Sequence, residues 1–207
     1  MWNITGGVMS KAWRVLSVTI LLAGGLSLAA WGFWPPARDI RESTLQGLDG
    51  ELGLPEARVI RLEYSPAPRL GDSQVMELRI LPAEESAGTE TVYDAYTVLA
   101  EARLDMPLAN TRPAGVVSAP LTSGSGATFY WDVSPRVDGE IEGTVWTYLR
   151  FIPKGGGEET RQAVSAQMVR IRSVSVLGRT GTQARVLGVA GLGLGILLGW
   201  PIVRRKM

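Results

Sequence analysis

The sequence contains no cysteine and no histidine. The first absence excludes disulfides, thiolate nucleophiles and cysteine metal sites, and the second removes the usual general base and a common metal ligand. Most hydrolytic and redox chemistries are thereby disfavoured before any motif is read. Acid is missing too, but only locally: all twenty Asp and Glu lie between Asp39 and Glu159. Lys11 and Arg14 precede that block, and Arg204, Arg205 and Lys206 follow it, with no carboxylate near them.

Two long apolar runs stand beside those cations, Val15–Trp34 and Val186–Val203. A helix of about 20 apolar residues crosses the roughly 30 Å hydrocarbon core of a bilayer. Flanking Lys and Arg stay on the cytoplasmic side. The pattern predicts transmembrane helices at 15–34 and 186–203, with 1–14 and 204–207 cytoplasmic. Residues 35–183 are then extracytoplasmic, in a periplasm or outside the cell, with the lipid bilayer as an obligate partner. A second reading takes the first run as a signal peptide cleaved near Ser27-Leu28-Ala29. The aromatic ending Trp31-Gly-Phe33-Trp34, followed by Pro35-Pro36, instead suits an uncleaved anchor with an interfacial belt.

The outer segment carries fifteen basic residues against twenty acids, a net charge of −5. That balance argues against nucleic acid, which needs a basic footprint. Residues 35–56 read as a connector, with Asp39 a possible helix cap and Leu45 and Leu48 its apolar anchors. Beyond it, period-two alternation begins. Ile60/Leu62/Tyr64, Met76/Leu78/Ile80, Val98/Ala100/Ala102/Leu104 and Phe129/Trp131/Val133 each share one face. Gly115–Ala119 is a shorter candidate, and Val145–Ile152 is apolar on both faces, as a central strand would be. Val169 and Ile171 fall out of phase with Val174 and Val176, which predicts a bulge near Arg172–Ser173. Gly and Pro clusters separate the runs. The fold expected is mainly β: a seven-stranded antiparallel β-sandwich over 57–177, joined by a linker at 178–185 to the second transmembrane α-helix.

The stretch Trp131-Asp132-Val133-Ser134-Pro135-x-x-x-Gly139, followed by Val145–Ile152, resembles the late strands of bacterial immunoglobulin-like or fibronectin-III-like domains. In such domains an inward Trp precedes a corner, and the next strand crosses the sandwich. The resemblance implies a module for adhesion, spacing or assembly. The Cys pair and Tyr-x-Cys corner of true immunoglobulin domains are missing, so no binding residues carry over, and fold alone does not set function.

Several constellations compete with plainer readings. Asp132, Asp138, Glu140 and Glu142 gather near one predicted strand end, where carboxylates hold Ca²⁺ or act as a glycosidase pair. The spacing matches no EF-hand loop, and a solvated hairpin, with Gly139 and Gly143 as turn residues, is the default reading. No metal or cofactor is assigned. Ser123-Gly-Ser125-Gly lacks both the nucleophile-elbow spacing and a His to activate it. Lys154, beside Gly155-Gly-Gly157, reads as a solvated hairpin tip rather than the desolvated base of a Ser–Lys dyad. By phase Trp131 is core, and Trp146 and Tyr148, on the second face of a two-sided strand, read as core rather than as a ligand-stacking platform. Tyr130 is the exposed ring, and with Asp132, Asp138, Glu140 and Glu142 it makes a possible contact surface.

In the second run, Gly191, Gly195 and Gly199 lie four apart, with Gly188 and Gly193 nearby and Gly25 and Ala29 as a matching face in the first run. Small residues at this spacing let helix backbones approach closely. The groove packs either the two helices of one chain or a partner's helix: another membrane protein or a second copy. The function expected is a non-enzymatic two-pass membrane protein that presents an acidic β-sandwich for protein–protein interaction, as an accessory or assembly subunit. The alternatives are a ligand- or carbohydrate-binding ectodomain and a carboxylate-dependent hydrolase using Asp132, Glu140 or Glu142 in a deep cleft.

Overall fold

The computed structural model describes residues 11–45, 54, 56–83 and 91–204. They divide into two compact units, a helix pair that includes the chain from Val176 onward and a β domain, Pro36–Ser175.

The helix pair consists of α1 (Lys11–Phe33) and α3 (Gly181–Arg204). Two hydroxyls within α1 are satisfied inside the helix: Ser17 and Thr19 donate to the carbonyls of Trp13 and Val15, both at 2.9 Å. The helix closes with Trp34 N–H donating to Ala30 O, and Pro35-Pro36 prevents another turn. Thr180 caps α3 in a reciprocal box. Its hydroxyl accepts from Gln183 N–H, and Gln183 Oε1 accepts from Thr180 N–H, both at 3.2 Å. Just upstream, Val176–Arg179 form a tight turn with positive φ at Leu177 and Gly178, 54° and 67°.

The β domain has nine strands among the described residues, two more than the alternation predicts. Strands β1 (Asp39–Leu45), β2 (Arg58–Tyr64), β3 (Gln74–Pro82), β7 (Ala127–Pro135) and β5 (Ala109–Arg112) form one antiparallel sheet in that order. The second contains β6 (Val117–Leu121), β4 (Tyr96–Asp105), β8 (Gly139–Pro153) and β9 (Thr160–Ser173). A short helix, α2 (Thr91–Ala95), precedes β4. Taken in chain order, β2-β3-β7-β5 faces β4-β8-β9 just as strands A-B-E-D face C-F-G in a constant-type immunoglobulin sandwich. β1 and β6 are extra edge strands.

Two of these strands are corrections to the sequence reading. β1 occupies the segment read as a connector, so Asp39 starts a strand rather than capping a helix; five of its seven residues are exposed. Leu45 packs at the margin of the core, while Leu48 lies outside the described residues. β5 is four residues long and buries only Ala109. The predicted bulge also moves. It lies at Thr147/Tyr148, opposite Ala163–Ser165. The phase break after Ser173 arises because the chain leaves the sheet there, with Val174 bridging Arg69 in parallel.

The core is where the alternation places it. Ile60, Leu62, Met76, Leu78, Phe129 and Trp131 meet Val98, Leu104, Val145, Leu149 and Phe151, each at most 3% exposed. Phe129 and Trp131 stack with centroids 6.4 Å apart, and Tyr96 meets Phe151 edge-on at 6.1 Å. Gly143 is not a turn residue. It lies within β8, where a Cβ would sit 2.7 Å from Asp105 O.

Candidate functional site

The sequence-predicted carboxylates do not converge. Asp132 points outward from the five-stranded sheet, whereas Glu140 and Glu142 point outward from the four-stranded one. Glu142 pairs with Arg170 at 2.8 Å. Asp138 lies in the β7–β8 turn, accepting from Gly139 N–H at 3.2 Å and Ser175 Oγ at 2.7 Å. No group of three potential metal ligands occurs among the described residues. Tyr130 is 56% exposed and Trp131 fully buried, as alternation along β7 requires. Lys154 is anchored rather than free: its ammonium donates to Tyr93 O at 2.8 Å.

Sequence phase alone missed a cluster on the outer face of the four-stranded sheet. Glu101 on β4 stands directly opposite Tyr148 on β8 and is 6% exposed, an unusual burial for a carboxylate on an outward face. Arg161 from β9 covers it, with Nε 2.7 Å from Glu101 and its guanidinium 3.8 Å over the Tyr148 ring. Arg150 closes the far side, 3.7 Å from Glu101 and also paired with Glu159, and that hydrogen bond pushes its pKa up. Next along the strands, Trp146 stands between Arg103 and Ala166 and is 37% exposed. Met168, one pair further, is also exposed. This correction turns Trp146 from core into surface. An aromatic, arginine-rich centre rimmed by ion pairs has the composition of an interaction hot spot.

A second network is centred on a buried ion pair. Arg58, at the start of β2, has no exposed side-chain surface and bonds Glu56, Tyr93 Oη, Thr122 O and Ser125 O. Glu56 is buried as well and accepts from Tyr93 Oη at 2.8 Å. Burial and then the Glu56 carboxylate push the Tyr93 pKa up to about 12. The Thr122–Ser125 loop thus supplies two carbonyl acceptors, those of Thr122 and Ser125, for a structural arginine.

Between the helices the contact is close. A Cβ added at Gly25 would lie 2.8 Å from Leu192 N, and one at Gly188 2.6 Å from Ala29 N. Gly191 faces Gly25 Cα at 3.4 Å, Gly195 faces the Leu22 side chain, and Gly199 faces Val18. Gly25, Ala29, Gly191, Gly195 and Gly199 therefore share one seam within the chain, and the tightest point is Gly188. Arg185 belongs to α3, inside its apolar stretch Gly181–Trp200, not to a linker. Its stem crosses Gly32, and its Nε reaches back to Gly181 O at 3.3 Å.

The sequence matches no protein-family model and no curated protein. Among solved structures it is similar to AggA, the major subunit of aggregative adherence fimbriae type I from Escherichia coli (10% identity, TM-score 0.33, 68% of this chain and 98% of that one). It is also similar to the ASH/PapD-like domain of human CEP192 (12%, TM-score 0.33, 69% and 90%) and the D00–D0 domain of intimin (9%, TM-score 0.28, 72% and 82%).

Proposed function

We propose that the chain is a non-enzymatic two-pass membrane protein whose β-sandwich is an extracytoplasmic interaction module, an accessory or assembly subunit of a membrane complex. The observation that carries the interaction role is the outer face of the four-stranded sheet, where Trp146 and Met168 are exposed and Arg161 covers Tyr148. The membrane role is supported by the apolar stretches Val15–Phe33 and Gly181–Trp200, of 19 and 20 residues. Ile20, Leu26, Val186 and Leu197 are exposed on these helices, as lipid-facing side chains would be. Small residues hold the pair together where no hydrophobic drive exists.

A photo-crosslinking residue in place of Trp146 in the full-length chain is expected to capture a stable partner. The same residue at Val75, exposed on the other sheet, is expected not to. Equal capture at both positions would remove the face from the proposal. For topology, a reporter fused after Met207 should be cytoplasmic, while Lys154 reacts with an impermeant amine reagent in spheroplasts. A protected Lys154 with an exported reporter reverses the orientation.

The helix seam makes its own prediction. Gly188→Leu drives a branched side chain into the Ala29 backbone. Oxidative cross-linking between Val18→Cys and Gly199→Cys should then collapse, with membrane insertion retained because Leu is more apolar. Gly193→Leu, at a position open on its side of α3, should leave the cross-link intact.

A second reading has one observation in its favour. Ser73, Asn110, Arg112, Asp132 and Ser134 line a polar hollow of about 250 Å³, with exposed Tyr130 two residues from Asp132 on the same face. A ring beside planar polar groups suits a saccharide, and binding of simple sugars weakened by Tyr130→Ala would establish it.

A further inference from the structure

The turn that leads into α3 breaks two rules at once. Its central residues, Leu177 and Gly178, both have positive φ, and Arg179 N–H closes it onto Val176 O at 3.0 Å. Mirror-image turns of this kind are built from Gly, Asn or Asp, because a Cβ in the left-handed region crowds the backbone. Leu177 accepts that strain and then leaves its side chain 92% exposed, more than any other large apolar residue described. In water neither cost has a return. Backbone strain that persists at one position points to a role for the side chain it displays.

The surroundings identify what Leu177 meets. α3 begins at Gly181, four residues later. The contact of Gly32 with Arg185 brings the C-terminal end of α1 beside the N-terminal end of α3. At that end of α1, Phe33 and Trp34 are 65% and 73% exposed. Arg185 folds its guanidinium toward the same end, the direction a cation takes to reach a headgroup region. An exposed leucine, two exposed aromatic rings and a returning arginine at one end of an apolar helix pair form the belt that meets a bilayer interface.

We infer that Leu177 is a lipid-inserting anchor: the turn holds its side chain out of the protein so that it enters the interfacial layer of the membrane and fixes the depth of α3. The inference rests on the membrane-spanning reading of α1 and α3. Its occupant is a lipid surface, reached by a single apolar side chain on a rigid turn.

The absence of native cysteine permits a direct test. Single substitutions Leu177→Cys, Leu194→Cys and Gly155→Cys in the full-length chain are labelled with an environment-sensitive NBD fluorophore. Each is reconstituted in phosphatidylcholine vesicles. Leu194 is exposed on α3 and reports the span; Gly155 is an exposed position of the β8–β9 turn. The expected result is that the label at 177 emits to the blue of that at 155. It should be quenched by lipids spin-labelled near the headgroup, with several-fold weaker quenching by aqueous iodide. A label at 177 as iodide-accessible as that at 155, with the label at 194 still lipid-quenched, overturns the inference and leaves the spans standing. Protection at 177 without spin-label quenching means protein cover and also overturns it. An iodide-accessible label at 194 overturns the spanning reading, and the anchor with it.

Discussion

Arg58→Ala is expected to destabilise the sandwich by about 3–5 kcal/mol, measured by urea unfolding, because it leaves a buried carboxylate without its charge partner. The side chain has no exposed surface, and its removal strands Glu56 together with the Thr122 and Ser125 carbonyls that it ties. The double change Glu56→Met with Arg58→Met removes both charges at similar volume and should recover most of the loss, since a desolvated pair contributes little beyond a well-packed apolar one. A loss under about 1 kcal/mol for Arg58→Ala, the range of a surface ion pair, would show that the knot opens to solvent.

Trp131→Ala should cost a similar amount, roughly 3–5 kcal/mol, as a large-to-small change in a closed core. The indole is fully buried between Phe129 and the facing sheet. Tyr130→Ala, one residue earlier, should cost no more than about 1 kcal/mol, because it forfeits only partial burial. The contrast tests strand register as well as burial. Equal and small losses in thermal melts would place the indole on the surface and reverse the phase of β7.

The physics of burial decides what the sequence reveals and what it conceals. Strands with one clean apolar face are legible: Ile60-x-Leu62-x-Tyr64 and Phe129-x-Trp131-x-Val133 announce their inward sides and fix the register of their sheet. β1 is not, because Asp-Ile-Arg-Glu-Ser-Thr-Leu follows no period when five of its seven residues face water. β5 is too short for a period to show. The Glu56–Arg58 knot is hidden for another reason: a buried arginine and a solvated one are the same letter, and only the carbonyls brought from Thr122 and Ser125 distinguish them. Trp146 shows the converse error. On a strand apolar on both faces, alternation identifies two classes of residue but not which class is covered. For the helices, spacing finds the glycines, but the tightest approach falls at Gly188, outside the four-residue series, because a crossing geometry brings Ala29 there.

The sandwich opens and closes its chain at one place. Its first strand and its last lie side by side, tied by Gln167 Nε2 to Ser43 Oγ at 2.6 Å and by Arg41 to Met168 O at 3.4 Å. The helix pair likewise brings the end of α1 against the start of α3 at Gly32 and Arg185. Each unit therefore closes on itself, and the sandwich is an insert in a helical hairpin, the arrangement in which domains are most easily gained, lost or exchanged. Such an insert can diverge, or be replaced by a short loop, without asking the helices to repack.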